Sequence, residues 1–170
     1  MSSHPRLVAF LEGQHRSALQ LLEALAATTD RSNETRRQRL EELESELYHH
    51  MLLEEEIVYP AFEDAVERQQ DQRVYRDARA EHEVTKALLK ELAGLSLDSA
   101  EFTLKVRALK DSVEHHVTEE EATLFPRVEQ LFDGRELEAL TRLLIRRHEE
   151  LEAHRAWSEG ALAMAFSAPD

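Results

Sequence analysis

Nine histidines stand in a chain of 170 residues that has no cysteine. The most informative of them lie in a segment that occurs twice. HHMLLEEEIVYP, His49 to Pro60, reappears 66 residues later as HHVTEEEATLFP, His115 to Pro126. Upstream of each copy is a lone histidine followed by leucines six, seven and ten positions on: His15 before Leu21, Leu22 and Leu25, and His82 before Leu88, Leu89 and Leu92. Residues i and i+4 share one face of a helix. His50 with Glu54, and His116 with Glu120, can therefore each present an imidazole and a carboxylate to one point. Imidazole and carboxylate together suit iron, manganese or zinc.

Such side chains need rigid elements, and the composition supplies helices. With only four Gly and four Pro among abundant Ala, Leu, Glu and Arg, the chain reads as almost all helix. Leu7, Phe10, Leu11, Leu21, Leu22 and Leu25 stripe a first helix that ends near Ala27, before a Thr28–Asn33 turn. A second runs through Leu40, Leu43, Leu47, Met51 and Val58 to Pro60, whose missing N–H must kink or end it. A third covers roughly Arg73 to Ala93 and stops at Gly94, with Asp98 or Ser99 capping the next. The fourth carries Phe102, Val106, Leu109, Val113 and Val117 to Pro126, and a fifth runs from about Glu136 to Met164. The expected fold is all-α: an up-down-up-down four-helix bundle over residues 1–134, built from a duplicated helix pair, with residues 135–170 as a C-terminal helix packed on it.

Counting from the turns tests whether the histidines can meet. Two residues of an antiparallel pair are level when they are equidistant from the turn between them. The midpoint of His15 and His50 falls at 32–33 and that of His82 and His116 at 99, both inside predicted turns. At ~1.5 Å per residue, each pair lies roughly 25 Å from its turn, deep in the bundle. Uncompensated carboxylates buried there would cost several kcal/mol each, order of magnitude, unless paired or bound to a metal. The two-fold duplication favours two ions. His15 and His50 would hold one, His82 and His116 the other, and Glu54 and Glu120 would bridge them, leaving at least one coordination position open.

Charge and missing residues narrow the rest. The 35 acidic against 21 basic side chains give a formal charge of −14, which would repel a phosphate backbone and argues against nucleic acid. No run of 18 apolar residues and no apolar core of signal-peptide length occurs, so a soluble, cytoplasmic protein with no membrane partner is expected. Without cysteine there are no disulfides, thiolate metal sites or cysteine nucleophiles, and no nucleophile triad or phosphate-binding Gly loop is present. Among the other polar residues, Glu55 and Glu121 are expected to face solvent or pair with Arg. His49 and His115, about 100° off the ligand face, read as outer partners or exposed groups. His148 lies 66 residues after His82 but lacks the following leucine triplet, so it reads as the polar face of an outer helix. His4 and His154 read as solvated, and Trp157 as a packing anchor. Glu46-x2-His49 imitates a ferritin ligand pair, but Ser112 stands at the duplicated position of the glutamate.

Lone His, His-x3-Glu, lone His, His-x3-Glu, with Tyr59-Pro60 and Phe125-Pro126 closing the halves, resembles the hemerythrin-like HHE cation-binding domains over about residues 5 to 130. The resemblance implies an up-down bundle enclosing a non-haem di-iron centre, oxo- or hydroxo-bridged, with a site open to O2, NO or peroxide. It makes binding of, or reaction with, such oxidants the expected function, including peroxide- or NO-directed oxidoreductase activity served by an electron donor. A zinc-loaded structural or interaction module and an iron-handling protein are the competing readings. Oxygen carriers of the family have His-x3-His on the third helix and His-x4-Asp on the fourth. Here the third-helix position is Lys86 and the fourth helix has His-x3-Glu, which counts against simple reversible O2 carriage. Members that repair iron centres often carry a cysteine-bearing domain, and this chain has no cysteine.

Overall fold

The computed structural model describes the backbone of residues 7–29, 33–66 and 69–166, and the side chains of these residues up to 156 except 69–71. His4 and the side chain of Trp157 lie outside the described residues. Among the described residues the α-helices are, in order, α1 (Leu7–Ala26), α2 (Asn33–Leu53), α3 (Tyr59–Ala65), α4 (Gln69–Ala93), α5 (Ala100–Glu119), α6 (Phe125–Leu131) and α7 (Gly134–Phe166). The four long helices α1, α2, α4 and α5 close a ring in which α1 touches α2 and α5, α4 touches α5, and α2 touches α4. Helix α7 lies outside on α1 and α2. The fold is the expected all-helical bundle with a fifth long helix. Among the described residues, no helix is long and apolar enough to cross a membrane.

The two prolines do something other than end their helices. Pro60 cannot donate an N–H and its ring crowds the carbonyl four residues back. The chain answers with a π-helical turn over Glu54–Val58, in which the Tyr59 N–H bonds to the Glu54 carbonyl, five residues back. The second half repeats this over Glu120–Leu124, with the Phe125 N–H on the Glu120 carbonyl ahead of Pro126. Helix direction therefore continues through both prolines into α3 and α6. Residues five apart in an α-helix point about 140° apart, whereas an i→i+5 bond stacks them one turn above each other. Tyr59 is thereby brought over Glu54, and Phe125 over Glu120.

The apolar stripes form two separate cores. One holds Leu22, Leu25, Leu43, Leu47, Leu92, Phe102 and Leu109, towards the two interhelical turns. The other holds Leu7, Leu11, Phe62, Tyr75, Phe125 and Leu144. The polar layer built from the duplicated motif belongs to neither cluster and falls between them. At the turn end, the buried Arg36 ties both turns together. Its guanidinium donates to the Leu97 carbonyl, to Thr28 Oγ1 at 3.0 Å and to the Thr28 carbonyl and Thr103 Oγ1 at 3.2 Å, and it lies 5.1 Å from the Phe102 ring centre. Ser99 caps α5 by accepting the Phe102 N–H at 3.0 Å. Replacing Arg36 with Ala leaves the Leu97 and Thr28 carbonyls without their guanidinium partner in a part-buried junction, and the expected loss is about 2–4 kcal/mol by denaturant unfolding. A loss below about 0.5 kcal/mol, typical of a surface change, would show that Arg36 does not hold the turns.

Candidate metal centre

All six residues singled out by the duplication converge on the middle layer, and each is at most 5% exposed. His15 comes from α1, His50 from α2, His82 from α4 and His116 from α5, while Glu54 and Glu120 open the two π turns. His15 Nε2 lies 3.1 Å from His50 Nε2, and His82 Nε2 lies 3.2 Å from His116 Nε2. Glu54 Oε2 stands 3.2 Å from Nε2 of both His50 and His82. Glu120 Oε2 stands 3.5 Å from Nε2 of both His116 and His15. Each carboxylate therefore sits between the histidine of its own helix and the lone histidine of the other half. Two sets could each hold an ion: His15, His50, His116 and Glu120, and Glu54, His82 and His116, with the ligand atoms of each set within 4.8 Å of one another.

The outward ring nitrogens decide the chemistry. His15 Nδ1 faces Glu121 Oε1 at 2.9 Å, His82 Nδ1 faces Glu55 Oε1 at 2.8 Å, His116 Nδ1 faces Glu81 Oε2 at 3.0 Å and His50 Nδ1 faces Gln14 Oε1 at 3.2 Å. These partners are acceptors, so every Nδ1 carries the proton and donates. In the neutral imidazole each Nε2 then offers a lone pair inward. Four lone pairs and two carboxylates face one another, and Glu54 Oε1 and Glu120 Oε2 have no hydrogen-bond partner. An inner surface made almost wholly of acceptors fits a cation.

Glu55 and Glu121 do not behave as free surface acids: both bind the outward nitrogen of a histidine. In each half the second glutamate of the pair reaches across to the lone histidine of the other half, while the residue just before that lone histidine, Gln14 or Glu81, supports the other imidazole of its own half. Glu55 is also held by Lys86, whose Nζ lies 2.8 and 3.0 Å from its oxygens. Lys86, at the position where oxygen carriers place an imidazole, thus reinforces the support of His82. Gln14 and Glu81 were not anticipated, although their duplicated places beside His15 and His82 carried the signal.

Tyr59 is the other addition to the layer. Its hydroxyl donates to Glu120 Oε1 at 2.7 Å and stands 3.2 Å from Glu54 Oε2 and from His82 Nε2. The duplicated residue, Phe125, has no hydroxyl and stacks on His15 with ring centres 5.4 Å apart. Of the remaining histidines, His49 Nδ1 donates to Glu152 on α7 at 2.9 Å. His115 is 65% exposed and lies 3.3 Å from Glu81. His148 packs edge-on against Phe10 and belongs to neither ligand set.

Without a cation the layer divides into groups that favour a proton and groups that resist one. Burial opposes protonation of His82, but Glu54 and Glu55 prevail and raise its pKa from 6.5 to about 9. His15 is raised in the same way, by Glu120 and Glu54 against burial. Burial, aided by the charges of His15 and His116 and only partly offset by Glu54, lowers His50 to about 4. Burial would raise Glu54, yet His50 and His82 hold it well below the ordinary carboxylate range. Glu120 is raised by burial and by the charge of Glu54. Burial and the same two carboxylates push the Tyr59 phenol well above its usual value.

These shifts set the pH dependence of the metal-free protein. The His82 contribution is complete below pH 6.5, the unfolded value, and is lost as the pH rises through about 9. His50 acts in the opposite sense: its folded form resists protonation, so stability falls as the pH drops from 6.5 towards 4. Denaturation midpoints of metal-free protein are expected to decline on both sides of about pH 6.5. A midpoint that climbs steadily across the alkaline arm would contradict the assigned His82 environment.

The hemerythrin HHE cation binding domain model matches residues 6–128. A crystal structure of a hemerythrin HHE cation binding domain-containing protein from Mycobacterium kansasii superposes with a TM-score of 0.77, covering 90% of this chain and 91% of that one at 23% identity, and shows the same fold. No curated protein sequence matches the chain. The matched segment contains all six converging residues and both π turns, and the chain belongs to the hemerythrin HHE cation-binding domain family.

Proposed function

We propose that the chain holds two iron ions and that the centre binds or reacts with small oxidants, O2, NO or peroxide. The observation that carries this is the inward set of four Nε2 lone pairs and two carboxylates, each imidazole fixed by an acceptor at its outer nitrogen. His15 and His50 would hold one ion and His82 and His116 the other, with Glu54 and Glu120 between them. Bound iron would supply redox electrons and Lewis acidity to the oxidant. Iron is favoured over zinc because structural zinc sites draw mainly on cysteine, which this chain lacks.

The protein's own residues support a small guest. A cavity of about 10 Å³ lies among the four histidines, walled by Ala18, Leu47, Met51, Thr85, Val113 and Val117. That is about the space of one water molecule, so the layer leaves room only for the smallest guests. Its walls are mostly apolar, which excludes bulk water from the reacting face. Tyr59 keeps its proton at neutral pH and aims it at Glu120, so a proton is stored within reach of the layer.

Protein purified without added metal is expected to contain two irons per chain and to absorb in the near ultraviolet. In stopped-flow mixing, the reduced protein should respond to at least one of O2, NO and H2O2. Glu54→Ala should lose bound iron, and a colourless, zinc-only sample would overturn the di-iron reading. Tyr59→Phe tests the proton donor separately: metal content is expected to stay at the wild-type value while reaction with H2O2 slows about 100-fold. An unchanged rate would remove Tyr59 from the chemistry.

A further inference from the structure

The duplication makes the α1–α2 and α4–α5 pairs equivalent, yet α7 covers only the first. It rests on α1, α2 and the first π turn. Leu144 is buried there, Arg147 Nε is 2.7 Å from Glu56, and Glu152 accepts from His49. On the other pair the corresponding face carries a solvent-open groove of about 450 Å³, lined by Asp77, Glu81, His115, Glu119 and Glu120 among others.

The residues have diverged to match. By the offsets of 67 and 66, Asp77, Glu81, His115 and Glu119 correspond to Phe10, Gln14, His49 and Leu53. Three carboxylates thus stand where the covered half has a phenyl ring, an amide and a leucine. The groove left beside α7, about 410 Å³, is lined by Phe10, Gln14, Glu46, His148 and Glu152 and reaches none of the six converging residues. The open groove does reach one. Glu120, 2% exposed, lines it, and Glu120 Oε2 has no hydrogen-bond partner. The two ends of the layer are closed by the apolar cores, through which a hydrated ion could not pass without losing its water.

Building on the metal-centre reading, we propose that the α4–α5 groove is the port by which a divalent cation enters, with Asp77, Glu81 and Glu119 gathering the hydrated ion and Glu120 receiving it at the inner end. A cleft lined by one sign of charge raises the local concentration and arrival rate of the opposite sign. The same field disfavours anions, so the port selects for cations.

The test is the rate at which metal-free protein takes up Co2+ at low ionic strength, read from the d–d absorbance of the bound ion, with the end-point stoichiometry measured separately. Asp77→Asn/Glu119→Gln is expected to slow uptake about tenfold and to weaken its salt dependence, with the end point unchanged. Thr123→Arg, which sets a cation in the same groove, should also slow it. Glu46→Gln/Glu152→Gln removes the same charge from the covered side and should load at the wild-type rate. The port is overturned if Asp77→Asn/Glu119→Gln loads like wild type, or if both double variants slow equally, which would report overall charge alone. Wild type that binds no Co2+ even at equilibrium would overturn the metal-centre reading itself, and the port with it.

Discussion

The structure depends on the direction of four imidazole protons. Each buried histidine donates outward from Nδ1, to Glu121, Gln14, Glu55 or Glu81, and so turns its other nitrogen inward as an acceptor. Reversing the ring of His15, His82 or His116 would place a donor in the layer and leave an acceptor facing a carboxylate. The outward bonds cross between elements, because Glu55 and Glu121 each grip a histidine of the other half. The helix pairs are thus locked in register by the contacts that orient the inward imidazoles. Two apolar cores, one on each side, keep the layer dry and make its need for a cation acute.

Duplication built the frame, and departures from it give the two halves different tasks. Tyr59 brings a hydroxyl where Phe125 brings a stacked ring. Gln14 gives His50 a neutral partner where Glu81 gives His116 a charged one, and a carboxylate behind an imidazole raises its basicity as a ligand. Helix α7 seals one face and leaves the other open and acidic. The two sides of the layer are therefore unlike in electrostatics and in access, although their inward donors are nearly the same.

The six inward residues were legible in the sequence because two periodicities agreed. Four-residue spacing joined each histidine to its glutamate, and equal distances from the turns made the pairs level. The outer partners were hidden because Glu55 and Glu121 lie one residue past the ligand face, where the α-helical period points them towards solvent. They reach inward partners only because a neighbouring helix presents a ring nitrogen there. Tyr59 was hidden for a different reason. Pro60 signals a missing N–H, but whether the chain ends, kinks or widens depends on what the surrounding elements can bury. The π turn that resulted moved the aromatic from a flank of the helix onto the site. The open groove depended on where α7 docks, which no local pattern specifies.

The most direct test of the central claim is anomalous X-ray diffraction from crystals of the metal-loaded protein, because it locates ions without reference to activity. Two anomalous peaks are expected inside the layer, one contacting Nε2 of His15 and His50 and one contacting Nε2 of His82 and His116, with Glu54 and Glu120 between them. Ions bound through Nδ1, ions confined to surface carboxylates, or a layer without any peak would contradict it.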